Sequence, residues 1–182
     1  MPACHNHTQG ESVIKIIEAL KRLKDLTIKA EDLRTKIGQH SADLNYETPV
    51  YENQKDQVDS WLQSHSDILK EILRLRTAVQ RTNLETKVTI DLNGKGVTHS
   101  IAEWIHRRRD LAAAEATAYA KLTDRNLKEG MAQQSSGQAI EVKIRRYYDA
   151  KTRDENISKY KSEPHIIDST LEVTNAVTDL IE

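Results

Sequence analysis

The chain has no phenylalanine, one cysteine, three prolines and six glycines in 182 residues. Each shortage excludes something. A lone Cys4 cannot form an intramolecular disulfide, so burial must hold the fold, and a reducing compartment is the expectation. Without Phe, and with two Trp and six Tyr, no thick aromatic core can be built. No apolar run reaches the ~20 residues needed to span a bilayer. The opening MPACHNHTQG lacks the basic-then-apolar order of a secretory signal. A net charge of −1 brings no global attraction to nucleic acid or an anionic membrane.

What is there is aliphatic and charged: 37% hydrophobic residues, mostly Leu, Ile, Val and Ala, against 30% charged ones. That mixture favours long amphipathic helices. The clearest is 53–83, where Val58, Trp61/Leu62, Ile68/Leu69, Ile72, Leu75 and Val79 recur in steps of three and four, with no Pro or Gly between them. Such a helix would be roughly 46 Å long, too long for one compact neighbour to cover.

Residues 1–11 read as an extended arm. Helix 1 is expected over 13–37, with Ser12 as N-cap, Val13, Ile16, Leu20, Leu23, Ala30 and Ile37 along its seam, and Gly38 at its C-terminal stop. The connector 38–52 contains the breaker Thr48-Pro49, with Leu44, Tyr46, Val50 and Tyr51 to pin it down. The two helices should pair as an antiparallel hairpin. Val88, Ile90 and Leu92 alternate with polar residues, and Asn93-Gly94-Lys95-Gly96 signals a turn before Val97-Thr98-His99, so 86–92 and 97–99 read as a β-hairpin. Ser100 and Glu103 form a capping box that opens helix 3, expected over 101–129 and stopped by Gly130. Residues 131–138 read as a polar loop. Residues 139–148 alternate again and should join the earlier hairpin in one small sheet. Helix 4 covers 150–181, either kinked or divided at Pro164. The expected fold is thus mainly α: an arm, then one helical domain over 12–182, a long antiparallel helical hairpin or bundle with a small antiparallel β-sheet insert.

Several short patches resemble the septicolysin-like family of small bacterial and phage helical proteins. They are Ser41-Ala42-Asp43-Leu44, Gln80-Arg81-Thr82-Asn83, Arg108-Arg109-Asp110-Leu111 and Glu141-Val142-Lys143, followed by Asp149, Asp168, Asn175, Thr178 and Leu180, in order over about 13–181. The chain departs from the family's pattern at Ala176, where a Trp is expected. The resemblance implies a helical fold with a small β element. Its name suggests pore formation, and it carries over no catalytic residues.

Candidate sites are few. Cys4, His5 and His7 are the one cluster of soft metal ligands, but zinc needs a fourth ligand and no second cluster has finger-like spacing, so a polar arm is the better reading. Arg107-Arg108-Arg109 could read phosphates, but successive helical residues point about 100° apart; pairing with carboxylates of adjacent helices is preferred. Arg81, Asn83, Arg109, Asp110, Asp168 and Asn175 are expected to form a polar network that sets helix register. His65 lies on the helix 2 seam and reads as a packed neutral side chain. Asn93-Gly94-Lys95-Gly96 lacks the Gly-Lys-Ser/Thr ending of a phosphate loop, and no hydrolase, zincin or kinase signature occurs.

These readings point away from an enzyme and from any cofactor. They favour a structural protein that self-associates or binds a protein partner through its helix seams and arm, in the cytoplasm or assembled in a virion such as a phage's. No nucleic acid or membrane partner is expected; the alternative is the pore-forming activity that the resemblance implies.

Overall fold

The computed structural model describes residues 14–182. The expected arm, with Cys4, His5 and His7, and the Ser12 cap lie outside the described residues. The chain divides into two compact units: the chain through Thr86 together with Glu172–Glu182, and Lys87–Leu171.

In the first unit, α1 spans Ile16–His40 and α2 spans Gln54–Glu85. The start of α1 is held by Glu18, whose carboxylate accepts from the Lys15 N–H at 2.9 Å. The helix begins later than expected and runs through Gly38 to His40. An internal glycine costs a helix about 1 kcal/mol, too little to stop one packed along its length. At the head of α2 the Asn53 side chain accepts from the Asp56 N–H at 3.3 Å, supplying the cap that an Asn in this place provides.

The two helices run antiparallel. At one end the Gln54 amide donates to the His40 carbonyl at 2.9 Å, and the His40 ring lies 5.5 Å from Trp61. At the other, Arg22 pairs with Glu71 at 2.9 Å, and Ala19 shares a core with Leu75, Ala78 and Val79. The tail closes this core. Ile16 N–H donates to Thr178 O at 3.0 Å, Leu180 N–H donates to Ile14 O at 2.8 Å, and Leu180 enters the same cluster. Lys15 and Asp179 form an ion pair across this bridge.

Two expectations fail here. The seam of α2 is narrower than its periodicity suggests. Trp61, Ile72, Leu75, Ala78, Val79 and Thr82 are buried, whereas Leu62 and Leu69 are 49% and 48% exposed. One facing helix covers only one arc of a cylinder, and these leucines lie beyond it. The connector is not pinned by its apolar residues either: Leu44, Tyr46 and Val50 are exposed, and only Tyr51 is held, edge-on to Trp61 at 5.3 Å.

In the second unit, β1 (Lys87–Asp91) pairs antiparallel with β2 (Gly96–Ser100), Lys87 opposite Ser100 and Asp91 opposite Gly96. Asn93 and Gly94 make the turn with φ of 58° and 81°, as an Asn-Gly hairpin requires. Ile90 and Leu92 are buried, and Lys87, Thr89 and Asp91 are exposed, so the alternation sorts the faces as read. The Ser100–Glu103 capping box is present. Helical segments Ile101–His106, Arg107–Leu111 and Ala112–Ala120 then follow without interruption and are together α3. The middle segment is a widened turn in which the Ala112 N–H donates to the Arg107 carbonyl, five residues back.

Helix α3 ends at Ala120, well short of Gly130. Asp124 takes Arg146 in a two-pronged pair at 2.8 and 2.6 Å and accepts from the Tyr148 hydroxyl at 2.9 Å. Arg125 and Asn126 have left-handed φ of 53° and 60°. A turn held by long-range side-chain bonds has outweighed local helix propensity.

The late strand is also corrected. β3 (Gly130–Gln133) pairs with β4 (Ala139–Val142), making a second two-stranded ribbon separate from the first. The segment read as a loop supplies the partner, and Gly137 at φ 79° makes the turn. Closing a short loop costs less entropy than reaching a distant strand. Every residue of this ribbon is exposed, including Ile140 and Val142. Finally α4 (Ala150–Val177) starts at Asp149, which accepts from the Thr152 N–H at 2.6 Å. It passes Pro164 as one helix and is not divided there.

Candidate functional site

Within the second unit, α3 and α4 bring together charges that lie far apart in the chain. Glu163 is 1% exposed. Its carboxylate accepts from Arg107 Nε at 2.8 Å and lies 2.7 Å from the second guanidinium nitrogen. The third guanidinium nitrogen donates to Glu115 at 2.6 Å. Arg107 is therefore clamped between two carboxylates, one eight residues ahead on α3 and one on α4. The widened turn begins at Arg107 itself.

Tyr160 completes the cluster. Its ring stacks on Tyr119 at 5.7 Å, the Arg107 guanidinium lies 5.4 Å from its centroid, and its hydroxyl is hydrogen-bonded to Glu115. That bond, followed by burial, pushes the phenol up to about 12. The Arg107 hydrogen bond holds the Glu115 carboxyl below its ordinary value. Burial pulls Arg107 down, but its bonds to Glu115 and Glu163 outweigh that, so its net displacement is upward.

A cleft of about 280 Å³ opens beside this clamp. The β1–β2 ribbon contributes Leu92, Lys95, Val97 and His99; α3 contributes Trp104; α4 contributes Lys159 and Tyr160. Trp104 is fixed by its indole N–H, which donates to Val88 O at 2.9 Å, and by the His99 ring edge-on at 4.9 Å.

Of the six residues expected to form one polar network, Arg109, Asp110 and Asp168 belong to the second unit and Arg81, Asn83 and Asn175 to the first. Arg109 reaches its neighbour Asp110 at 3.4 Å and His106 at 3.1 Å. Asp168 pairs with Arg108 instead. Arg81 is exposed, and Asn83 and Asn175 each have a buried side-chain oxygen without a hydrogen-bond partner among the described residues. In the Arg107–Arg109 run, Arg107 and Arg108 meet carboxylates of the adjacent helix, Glu163 and Asp168, whereas Arg109 meets Asp110 on its own helix. Glu163, Glu115 and Tyr160 were missed. A signal existed: Tyr160, Glu163, Ile167 and Leu171 follow one another at helical spacing, so an acidic residue sits inside an apolar stripe.

The first unit carries a different feature. On α2, Leu62, Leu69, Leu73 and Leu84 are 49%, 48%, 68% and 67% exposed. At 100° per residue they fall within an arc of about 60°, apart from the buried arc that faces α1. His65 is half-buried.

No group of His, Cys, Asp and Glu that could hold a metal occurs among the described residues, and none of their helices is long and apolar enough to cross a membrane. The described residues are mainly helical, with two small antiparallel ribbons. No protein-family model and no curated protein matches the chain. A solved structure, that of a functionally unknown conserved protein from Corynebacterium diphtheriae, is similar to it at 19% identity. The match covers 93% of this chain and 99% of that one, with a TM-score of 0.56. The likeness is one of fold alone.

Proposed function

We propose that the protein is an assembly protein, and that α2 pairs through its exposed leucines with α2 of a second copy, antiparallel. The observation that carries this reading is the stripe Leu62, Leu69, Leu73 and Leu84 on a helix whose other face is already filled. Single exposed leucines are ordinary, but an aligned row is the kind of surface that marks an association site. The charges select the partner and its direction. Residues 54–69 hold Asp56, Asp59 and Asp67 against Lys55, whereas 70–85 hold Lys70, Arg74, Arg76 and Arg81 against Glu71 and Glu85. An antiparallel copy lays the acidic half on the basic half about a twofold axis. A parallel copy sets like against like. Incorporation into a larger particle, such as a virion, would extend the same contact.

Sedimentation equilibrium over a wide concentration range tests this. The wild type should show a dimer or larger species, and Leu69→Glu/Leu73→Glu should sediment as a monomer with unchanged circular dichroism. A strictly monomeric wild type would remove the proposal.

A further inference from the structure

The near-neutral charge of the chain is an average over unlike regions. Residues 121–153 hold eight Lys and Arg against four Asp and Glu, which leaves 19 against 24 elsewhere. This excess belongs to the second unit, whereas α2 belongs to the first. Two stretches carry it, 121–128 and 143–153, and the fold holds them side by side. Asp124 takes both Arg146 and the Tyr148 hydroxyl, Arg153 donates to the Leu122 carbonyl at 3.1 Å, and Glu129 accepts from the Ile144 N–H at 3.1 Å.

The acids of this region are committed. Asp124 and Glu129 make the bonds just described, Asp149 caps α4, and Glu141 pairs with Lys143. The cations are not used up in the same measure. Lys121, Arg125, Lys128 and Arg145 are exposed and have no acidic partner among the described residues. Between the two stretches lies a groove of about 190 Å³ whose lining includes Arg125, Leu127, Arg145, Arg146 and Tyr147. Tyr147 is 89% exposed, and its ring meets no partner among the described residues. Tyr148, by contrast, bonds Asp124 and carries the Arg153 guanidinium over its face at 5.5 Å. Arg125 has a left-handed φ of 53°, a conformation uncommon in a non-glycine residue and concentrated at binding sites.

Free cations around one bare ring fit a flexible polyanion that carries flat groups. Phosphates of a single strand neutralise the cations, and an unstacked base covers the ring. A duplex keeps its bases stacked on one another, and an acidic peptide need have no flat group, so neither uses Tyr147. An anionic membrane needs an apolar surface beside the charge. The neighbouring ribbon does not supply it, because Met131 stands directly opposite Glu141.

We propose that the surface formed by 121–128 and 143–148 binds single-stranded nucleic acid, with Lys121, Arg125, Lys128 and Arg145 on the phosphates and a base stacked on Tyr147. Asp124 does not touch the strand; it holds the two stretches together.

Fluorescence anisotropy of the full chain with labelled oligo-dT and oligo-U tests this, with strands of about 20 nucleotides, longer than a typical single-strand site. One or both should bind saturably in the micromolar range at about 50 mM salt, and the log–log salt slope should lie between about −2 and −3, as for three or four phosphates. Arg125→Gln/Arg145→Gln should weaken binding at least about tenfold and flatten that slope by about 1.4. Tyr147→Ala should weaken binding at least about fivefold with the slope unchanged, whereas Tyr147→Phe should bind as the wild type does. These side chains have no partners to lose, so the variants should melt with the wild type. Polyglutamate and phosphatidylserine vesicles are the controls. Absence of saturable binding to both strands, equal affinity for polyglutamate, or undiminished affinity in Tyr147→Ala would each overturn the assignment. Vesicle binding without strand binding would overturn it in favour of a membrane surface.

Discussion

The hydroxyl of Thr82 accepts a hydrogen bond from the backbone N–H of Ile181 at 2.8 Å, joining residues 99 apart in the chain. The same hydroxyl donates to the Ala78 carbonyl at 2.8 Å, and the residue is fully buried. A threonine that only returned its hydroxyl to its own helix would be a weak element. This one fastens the tail that also lays Leu180 into the core with Ala19 and Leu75. Thr82→Val keeps the shape and deletes the acceptor. It should destabilise the protein by about 1–3 kcal/mol, since the Ile181 N–H is left unsatisfied. Urea unfolding measures this, and amide exchange at Ile181 should quicken.

The two faces of α2 should respond differently to truncation. Leu75 is 0% exposed, and Leu75→Ala should lose about 2–5 kcal/mol of unfolding free energy. Leu73, two residues earlier, is 68% exposed. In dilute protein Leu73→Ala should change stability by no more than about 0.5 kcal/mol. Equal losses at the two positions would contradict the one-sided seam.

Arg107→Met leaves Glu163 buried without its cation. The expected destabilisation is about 3–5 kcal/mol. Arg107→Met/Glu163→Leu removes both charges and should regain most of that loss, because an apolar pair needs no desolvated ions. A double-mutant cycle by urea titration gives the coupling directly.

Tyr160 sets an alkaline limit. Its phenol is pushed from the ordinary 10.0 to about 12 by the Glu115 hydrogen bond and by burial, so the folded state holds its proton longer than the unfolded chain does. That contribution is fully present below pH 10 and is lost as pH rises from there through about 12. The stability difference between wild type and Tyr160→Phe should therefore be constant below the lower value and shrink above it. Tyrosinate absorbance should show one late-ionising tyrosine that the variant lacks.

The β3–β4 ribbon should be dispensable for stability. All its residues are exposed. Replacing 131–141 with a short Gly/Ser loop should move the unfolding free energy by less than about 1 kcal/mol, the scale of a change in loop length.

Much of this architecture can be read from local rules. Helix 2 was bounded within two residues, because Asn53 caps and no Pro or Gly intervenes. The Asn93-Gly94 hairpin and the Ser100–Glu103 box act over a few residues and need no distant help. The misreadings share one cause. The stop of α3 at Ala120 depends on Asp124 meeting Arg146 and Tyr148, which come 22 and 24 residues later. The partner of β4 depended on which segment lay nearest, and Gly130–Gln133 shows no alternation that would mark it as a strand.

Residue order alone therefore establishes the rods, the Ser100–Glu103 cap and the first ribbon, since the energies involved are local: backbone hydrogen bonds, φ preferences and the period of the apolar positions. It does not say which side of a rod is covered. Leu69 and Ile72 look equivalent in the sequence, and only the placement of α1 buries one and leaves the other in water. Nor could it say that Arg107 would meet Glu163, 56 residues on, and not one of the other carboxylates. Charge attraction is not selective among acids, so the selection came from the packing of α3 against α4, which brought this pair within reach and shut out water.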